Sequence, residues 1–171
     1  MARIFKRNKI DLTLLESEKG DTPWDEPTGA GIIYGASGGV TESALRTAIF
    51  QLTNGQKIEQ LEFKNLRGMN EVKEAIIEIN DIKLKVAIVN GLGNAKEILK
   101  IIKQDPSRYD YIEVMACPGG CIGGGGQPLP TTQEIRKLRA QGLYNIDEIK
   151  NNRLADESPI IKKIYQEFLT N

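Results

Sequence analysis

The chain has two thiols, Cys117 and Cys121, four residues apart in Glu113-Val-Met-Ala-Cys-Pro-Gly-Gly-Cys-Ile-Gly-Gly-Gly-Gly-Gln-Pro128. Six of the eight residues 119–126 are glycine. Two thiolates separated by Pro-Gly-Gly can fold around one compact inorganic core. The glycines let the backbone approach such a core and offer it amide N–H groups, which stabilise negative charge. A disulfide closing so short a loop would constrain little, so metal ligation is the better reading of the pair. The sequence contains no histidine. That excludes His-dependent triads and His-ligated zinc, and leaves iron–sulfur chemistry or a Cys-only zinc site. Zinc would need two further ligands from elsewhere. Met115, two residues before Cys117, is either core filling or a thioether facing the bound group.

These residues must be held by elements, and the pattern supplies them. Residues 1–10 predict a basic amphipathic helix with no N-cap signal before its first turn, a helix whose beginning is cut off. Its cations Arg3, Lys6, Arg7 and Lys9 form a solvated face. Residues 16–30 are acidic and rich in Pro and Gly, hence a loop, with Trp24 as a plug over an apolar neighbour. Gly31 to Tyr34 is expected to be a short buried strand, Gly35 to Gly39 a turn and Val40 to Leu52 a helix. Strands are expected over Ile58 to Phe63, Val72 to Ile79, Lys83 to Val89 and Tyr109 to Met115. A helix is placed from about Ala95 to Lys103. Helices follow over Thr132 to Gln141, Ile146 to Lys150 and Ile160 to Leu169, the last behind Pro159. Glu42 and Arg46, four apart, are expected to pair on the helix surface.

Strand–loop–helix repetition indicates an α/β fold: a partial βαβ lobe with a mixed, mostly parallel sheet flanked by helices, and a helical C-terminal tail. In such lobes sites gather at loops leaving the carboxyl ends of strands. The candidates are the glycine-rich loops 35–39, 91–93 and 119–126. Gly35-Ala-Ser-Gly-Gly39 could cradle a phosphate at the helix N-terminus, but it is not a Walker loop and lacks the dinucleotide spacing. A tight strand-to-helix turn is favoured over that alternative, as it is for Asn90-Gly-Leu-Gly-Asn94 over a nucleotide site. With 171 residues, the chain suits one domain or one lobe of a larger one. Its 23 Lys plus Arg balance 23 Asp plus Glu, which gives no reason to expect a nucleic-acid partner. No run of about 18 apolar residues is present, so no membrane span is expected. A cytoplasmic location is the default expectation.

The cysteine segment resembles the third cysteine motif of iron-only (FeFe-type) hydrogenases, Glu-x-Met-Ala-Cys-x-x-Gly-Cys-x-x-Gly-Gly-Gly-Gln-Pro, with one glycine more. Tyr34-Gly-Ala-Ser-Gly-Gly-Val40 is similar to that family's Phe-Gly-Ala-Thr-Gly-Gly-Val. Arg67-Gly-Met, Lys85-Val-Ala-Ile-Val-Asn-Gly-Leu-Gly-Asn-Ala95 and Ile164-Tyr-Gln-Glu-Phe-Leu169 extend the likeness over essentially the whole chain. The resemblance implies the C-terminal half of the H-cluster domain, with residues 1–30 a truncated helix and loop, 31–128 an α/β lobe and 129–171 a helical tail. It implies a 4Fe-4S cluster joined to the two-iron H-cluster unit. By position Cys117 would be a cubane ligand and Cys121 the bridging thiolate. Met115 would pack near the two-iron unit, and Tyr34 and Gly35 would lie in its apolar wall. Glu113 and Gln127 would have supporting roles.

The departures bear on function. The family's first two cysteine motifs, Thr-Ser-Cys-Cys-Pro and Met-Pro-Cys-x-x-Lys, are absent, and so are ferredoxin-like Cys clusters. Asn90 stands where the family often has His. The resemblance therefore implies part of an enzyme for reversible hydrogen oxidation, inactive alone. The missing N-terminal lobe or another hydrogenase subunit would be its partner. A redox partner such as ferredoxin or an NAD(P)-linked subunit is expected too. The alternative is a non-catalytic truncated or remnant protein, or an iron–sulfur assembly relative. An exposed apolar patch is expected beside the cysteine segment, where a partner lobe belongs.

Overall fold

A computed structural model describes residues 1–18, 27–55, 63, 66–68, 71–79 and 82–169. Trp24 and most of the expected strand over Ile58 to Phe63 lie outside the described residues.

Among the described residues, three strands form one mixed sheet in the order β1 (Val72–Ile79), β2 (Ile82–Asn90), β3 (Tyr111–Met115). β1 pairs antiparallel with β2, from Val72 opposite Val89 to Ile79 opposite Ile82. β2 pairs parallel with β3, from Val86 opposite Tyr111 to Asn90 opposite Met115. A parallel pair needs a long crossover, and α4 (Leu92–Gln104) supplies it. Five consecutive residues of β2, Val86 to Asn90, are buried. That fits a strand covered on both faces and accounts for its continuous apolar run. The α/β lobe with a mixed sheet and flanking helices is as expected.

One core lies between the sheet and α3 (Gly39–Leu52), where Leu45 and Ile49 meet Ile77, Ile79, Val86 and Ile88. The second joins α2 (Gly29–Ile33) to α5 (Gln133–Ile149) through Ile33, Ala36, Ile122, Ala140 and Tyr144. Ile122 belongs to the cysteine segment, so this second core anchors the site. α1 (Ala2–Arg7) and α6 (Pro159–Phe168) bury no residue.

Three expectations are corrected. Gly31 to Tyr34 is not a strand but the end of α2 and its exit. A four-residue apolar run cannot separate the two by periodicity. The capping Thr28 decides it: its Oγ1 accepts from the Gly31 amide at 3.1 Å and its carbonyl from the Ile32 amide at 3.1 Å. Thr28→Ala is expected to cost about 1 kcal/mol, read as a lower urea midpoint at unchanged slope. The two helices expected between Thr132 and Lys150 are one, α5, which runs through Gly142. A glycine inside a helix costs only about 1 kcal/mol, and Ala140, Tyr144 and Asp147 bury one face on either side of it.

The third correction concerns Glu42 and Arg46. They do pair at 2.7 Å, but both side chains are fully buried rather than on the surface. Arg46 also binds both carboxylate oxygens of Asp147, each at 2.8 Å. Asp147 in turn accepts from Arg153 at 2.6 and 3.2 Å, and Glu42 from Arg67 at 2.7 and 3.0 Å. The Arg67 guanidinium lies 3.9 Å from the centroid of the Tyr144 ring. This network ties α3 to α5.

Candidate functional site

β3 ends at Met115 and the chain passes directly into the cysteine segment at the carboxyl ends of the two parallel strands. Met115 is half-buried, and its carbonyl accepts from the Gly91 amide at 2.7 Å. The loop is wound by short-range bonds: Gly120 N–H to the Cys117 carbonyl, Gly123 N–H to Gly120 and Gly124 N–H to Cys121, each at 3.0 Å. Cys117 is half-buried and Cys121 exposed, and both are free thiols. A methyl built on Gly124 would stand 3.4 Å from Cys117 Sγ, so the glycine leaves that sulfur uncovered.

The three glycine-rich loops converge here. Ser37 N–H donates to the Gly119 carbonyl at 3.0 Å, and Ile122 N–H to the Gly35 carbonyl at 3.2 Å. Gly119 N–H donates to Asn90 Oδ1 at 3.2 Å. Turn 35–39 and the residue that ends β2 therefore grip the cysteine loop from two sides. Tyr34, beside Gly35, is 41% exposed and lies at the edge of a groove between α3 and α6. Gln127 is half-buried, with its amide on the Gly124 carbonyl at 3.3 Å.

Glu113 does supporting work. Its carboxylate is buried and accepts from the Gly38 amide at 2.6 Å, the Thr41 amide at 2.8 Å and the Thr41 hydroxyl at 2.7 Å. An anion at the amino end of α3 faces the positive end of the helix dipole. β3, α3 and turn 35–39 are thereby fixed to one another.

Three contributors were missed from sequence. Lys73 is buried on the inner face of β1, and its ammonium donates to the carbonyls of Ser37 at 3.2 Å, Leu66 at 2.6 Å and Gly68 at 3.3 Å. A lysine in register with Ile77 and Ile79 was the available signal. Arg139, on α5, holds the carbonyls of Ile122 at 2.9 Å and Pro128 at 2.7 Å. Asn90, a polar end to an apolar strand, is the third.

Burial pushes the Lys73 ammonium down to about 8, against a smaller upward pull from Glu113. A lysine so lowered binds its proton less tightly folded than unfolded, so the unfolded chain holds more protons between about pH 8 and the ordinary 10.5. Stability is expected to rise by about 1–2 kcal/mol from this group between pH 8 and 9.5. Urea midpoints of the protein and of Lys73→Met across that range check it: a flat wild-type profile contradicts the assignment, and the variant should lack the rise.

A cleft of about 950 Å³ opens beside the loop, lined by Gly123 to Gly126, Pro118 and Gln127 on one side and by Arg3, Lys6 and Arg136 among its polar residues. None of its lining residues is acidic. Arg136 Nε is buried there with no hydrogen-bond partner among the described residues. Neither cysteine lines this cleft, but its glycine backbone, cationic walls and unmatched donor suit an anionic inorganic group beside the thiols. The donor set is short, however: no cluster of three or more His, Cys, Asp or Glu residues that could hold a metal occurs among the described residues. The residues present thus fit half of a four-thiolate group and not the whole of it.

Fold and site together define an α/β lobe that presents two thiols on a glycine cradle at the carboxyl ends of parallel strands. The chain belongs to the family of the iron-only hydrogenase large subunit, C-terminal domain, which it matches over residues 1–125. Residues 133–171 match the iron hydrogenase small subunit. It is 44% identical over 170 residues to the NADP-reducing hydrogenase subunit HndD of Solidesulfovibrio fructosivorans, covering 99% of this chain and 29% of that one. It is 34% identical over 168 residues to a probable cytosolic Fe-S cluster assembly factor of Aedes aegypti, covering 94% and 34%. Among solved structures, a variant of the FeFe-hydrogenase HydA1 from Chlamydomonas reinhardtii superposes with a TM-score of 0.68 at 35% identity, covering 99% of this chain and 49% of that one. The chain thus spans about a third or less of these curated relatives and half of the solved neighbour. No helix among the described residues is long and apolar enough to cross a membrane.

Proposed function

We propose that this chain is the lobe of an iron-only hydrogenase that supplies two of the thiolates for its cluster, and that it evolves or oxidises hydrogen only when a second lobe or subunit supplies the others. The observation that carries this is the pair of free thiols on a glycine cradle beside an acid-free cationic cleft, in a chain with only two thiols. When bound, the 4Fe-4S cluster and its two-iron unit supply the redox chemistry of hydrogen. This chain's residues do the holding. Cys117 and Cys121 would be the two thiolates that hold the group, Cys117 at the cubane and Cys121 beside the two-iron unit. Met115, Tyr34 and Gly35 would line its surroundings. Arg3, Lys6 and Arg136 offset negative charge, and Glu113, Lys73 and Arg139 keep the loop in shape. A ferredoxin or an NAD(P)-linked subunit would exchange the electrons. A cytoplasmic location suits a chain whose two cysteines serve a metal group rather than a disulfide.

The relative named as an assembly factor favours a second reading, a non-catalytic chain that handles iron–sulfur clusters. Anaerobic reconstitution with iron and sulfide, followed by addition of a preformed two-iron unit and a chemical reductant, separates the two, using the chain alone and together with the unmatched remainder of the Solidesulfovibrio subunit. The expected result is hydrogen evolution only from the combination. Hydrogen from the chain alone overturns the incomplete-donor reading, and iron loading without hydrogen in either arm selects the second.

A further inference from the structure

A groove of about 660 Å³ lies between α3 and α6, floored by Val40, Ala44, Ala48 and Ile161 and edged by Tyr34 and Tyr165. Gln51, Asp156 and Lys162 make a polar rim. An apolar floor inside a polar rim is the anatomy of a protein interface. α6 makes the groove informative. Ile161, Tyr165 and Phe168 are 41%, 61% and 76% exposed. Their spacing aligns them on one stripe, yet the helix buries no residue. Ten residues of amphipathic helix draw most of their stability from packing, and here that packing is incomplete.

We infer that the groove receives an apolar helix of the polypeptide that carries the remaining cluster thiolates. The inference rests on the proposed function and adds where that partner docks. Continuity with the site argues for this occupant. Tyr34 edges the groove, and its neighbour Gly35 accepts a hydrogen bond from Ile122, the residue after Cys121. A helix filling the groove therefore ends beside the cysteine loop, where further thiolates are needed. Length argues the same way, because the solved neighbour is about twice as long as this chain and the hydrogenase relative about three times. The shape selects a helix: Ala44 and Ala48, one turn apart with Ser43 and Thr47 beside them, leave a shallow channel that admits close interaxial approach.

The test is co-expression of the full chain, tagged, with the unmatched remainder of the Solidesulfovibrio subunit, followed by co-purification and hydrogen exchange. Recovery of the partner with wild type, with slowed exchange over 40–51 and 161–168, is expected. Ala44→Glu and Tyr165→Glu, both at exposed positions, should each cut recovery at least tenfold while the melting curve of the free chain stays in place. Should one of them unfold the chain, the other decides. With iron removed by a chelator, so that no shared cluster links the two polypeptides, the Cys117→Ser, Cys121→Ser double variant should recover the partner as wild type does. If that variant docks but wild type loads no iron, the cluster reading fails and the groove stands. Failure of wild type to retain the partner, or full recovery with both glutamate variants, overturns the groove. Self-association abolished by Ala44→Glu overturns it in favour of a second copy.

Discussion

Asp147→Ala is expected to destabilise the chain by about 3–5 kcal/mol, the range for removing one partner of a buried ion pair. Asp147 is wholly buried and accepts from both Arg46 and Arg153. Without it, Arg46, also wholly buried, loses the carboxylate that bonds both its terminal nitrogens, while Glu42, with which it also pairs, is shared with Arg67. Since domains of this kind have about 5–15 kcal/mol in all, the loss is a large share of the total. Urea unfolding measures it, and a midpoint within 0.5 kcal/mol of wild type, roughly the spread of surface substitutions, would show that the network is not holding α3 to α5. The acid limb gives a second readout. Burial raises the Asp147 carboxyl, but Arg46 and Arg153 outweigh burial and hold it below the ordinary 3.8. A carboxyl so depressed adds stability that is present above its unfolded value and is lost as pH falls through the native one. Asp147→Ala should flatten that part of the acid limb.

Nothing in the linear pattern marks this network. Glu42 and Arg46 carry the spacing of an ordinary surface pair, and the sequence offers no sign that Asp147, a hundred residues on, will meet them. Burial is decided by how α2 and α5 close over α3, a tertiary event. Strands behaved differently. Val72 to Ile79 alternates and Lys83 to Val89 turns continuously apolar because one has an open face and the other has none, so both were readable with short errors at the ends. Gly31 to Tyr34 was misread because its deciding residue, Thr28, sits outside the apolar run.

The site divides along the same line. Cys117, Cys121 and the glycines between and after them stood out because residue types that do chemistry are rare and their spacing is local. The residues that hold the loop did not stand out. Asn90, Lys73 and Arg139 act through hydrogen bonds to backbone carbonyls and amides, which any sequence could make and only the folded chain aims. Tyr34 sits between the two cases: its place beside Gly35 is local, whereas its position at the edge of the α3–α6 groove depends on where α6 packs.

Gly120→Ala tests whether the convergence of loops is what shapes the site. Gly120 has φ of +90°, where an L side chain is strained by about 1–2 kcal/mol. A methyl there would also stand 2.8 Å from the Gly35 carbonyl oxygen and 2.9 Å from the Ser37 nitrogen, both backbone atoms that cannot swing aside. Turn 35–39 must move off, and the Ser37–Gly119 and Gly35–Ile122 hydrogen bonds stretch, each worth about 0.5–1.5 kcal/mol. The sum is about 2–5 kcal/mol, with the added consequence that the backbone between the two thiols is displaced. Iron bound per chain after anaerobic reconstitution with the partner should fall to a tenth or less of wild type, even at a temperature where the variant is still folded. Gly125→Ala is the matched control, because a methyl there meets nothing within 4 Å and its φ lies outside the left-handed region. Its melting temperature should match wild type. If Gly120→Ala melted with wild type and loaded iron normally, the grip of turn 35–39 on the cysteine loop would be incidental, and the thiols would owe their placement to β3 and α5 alone.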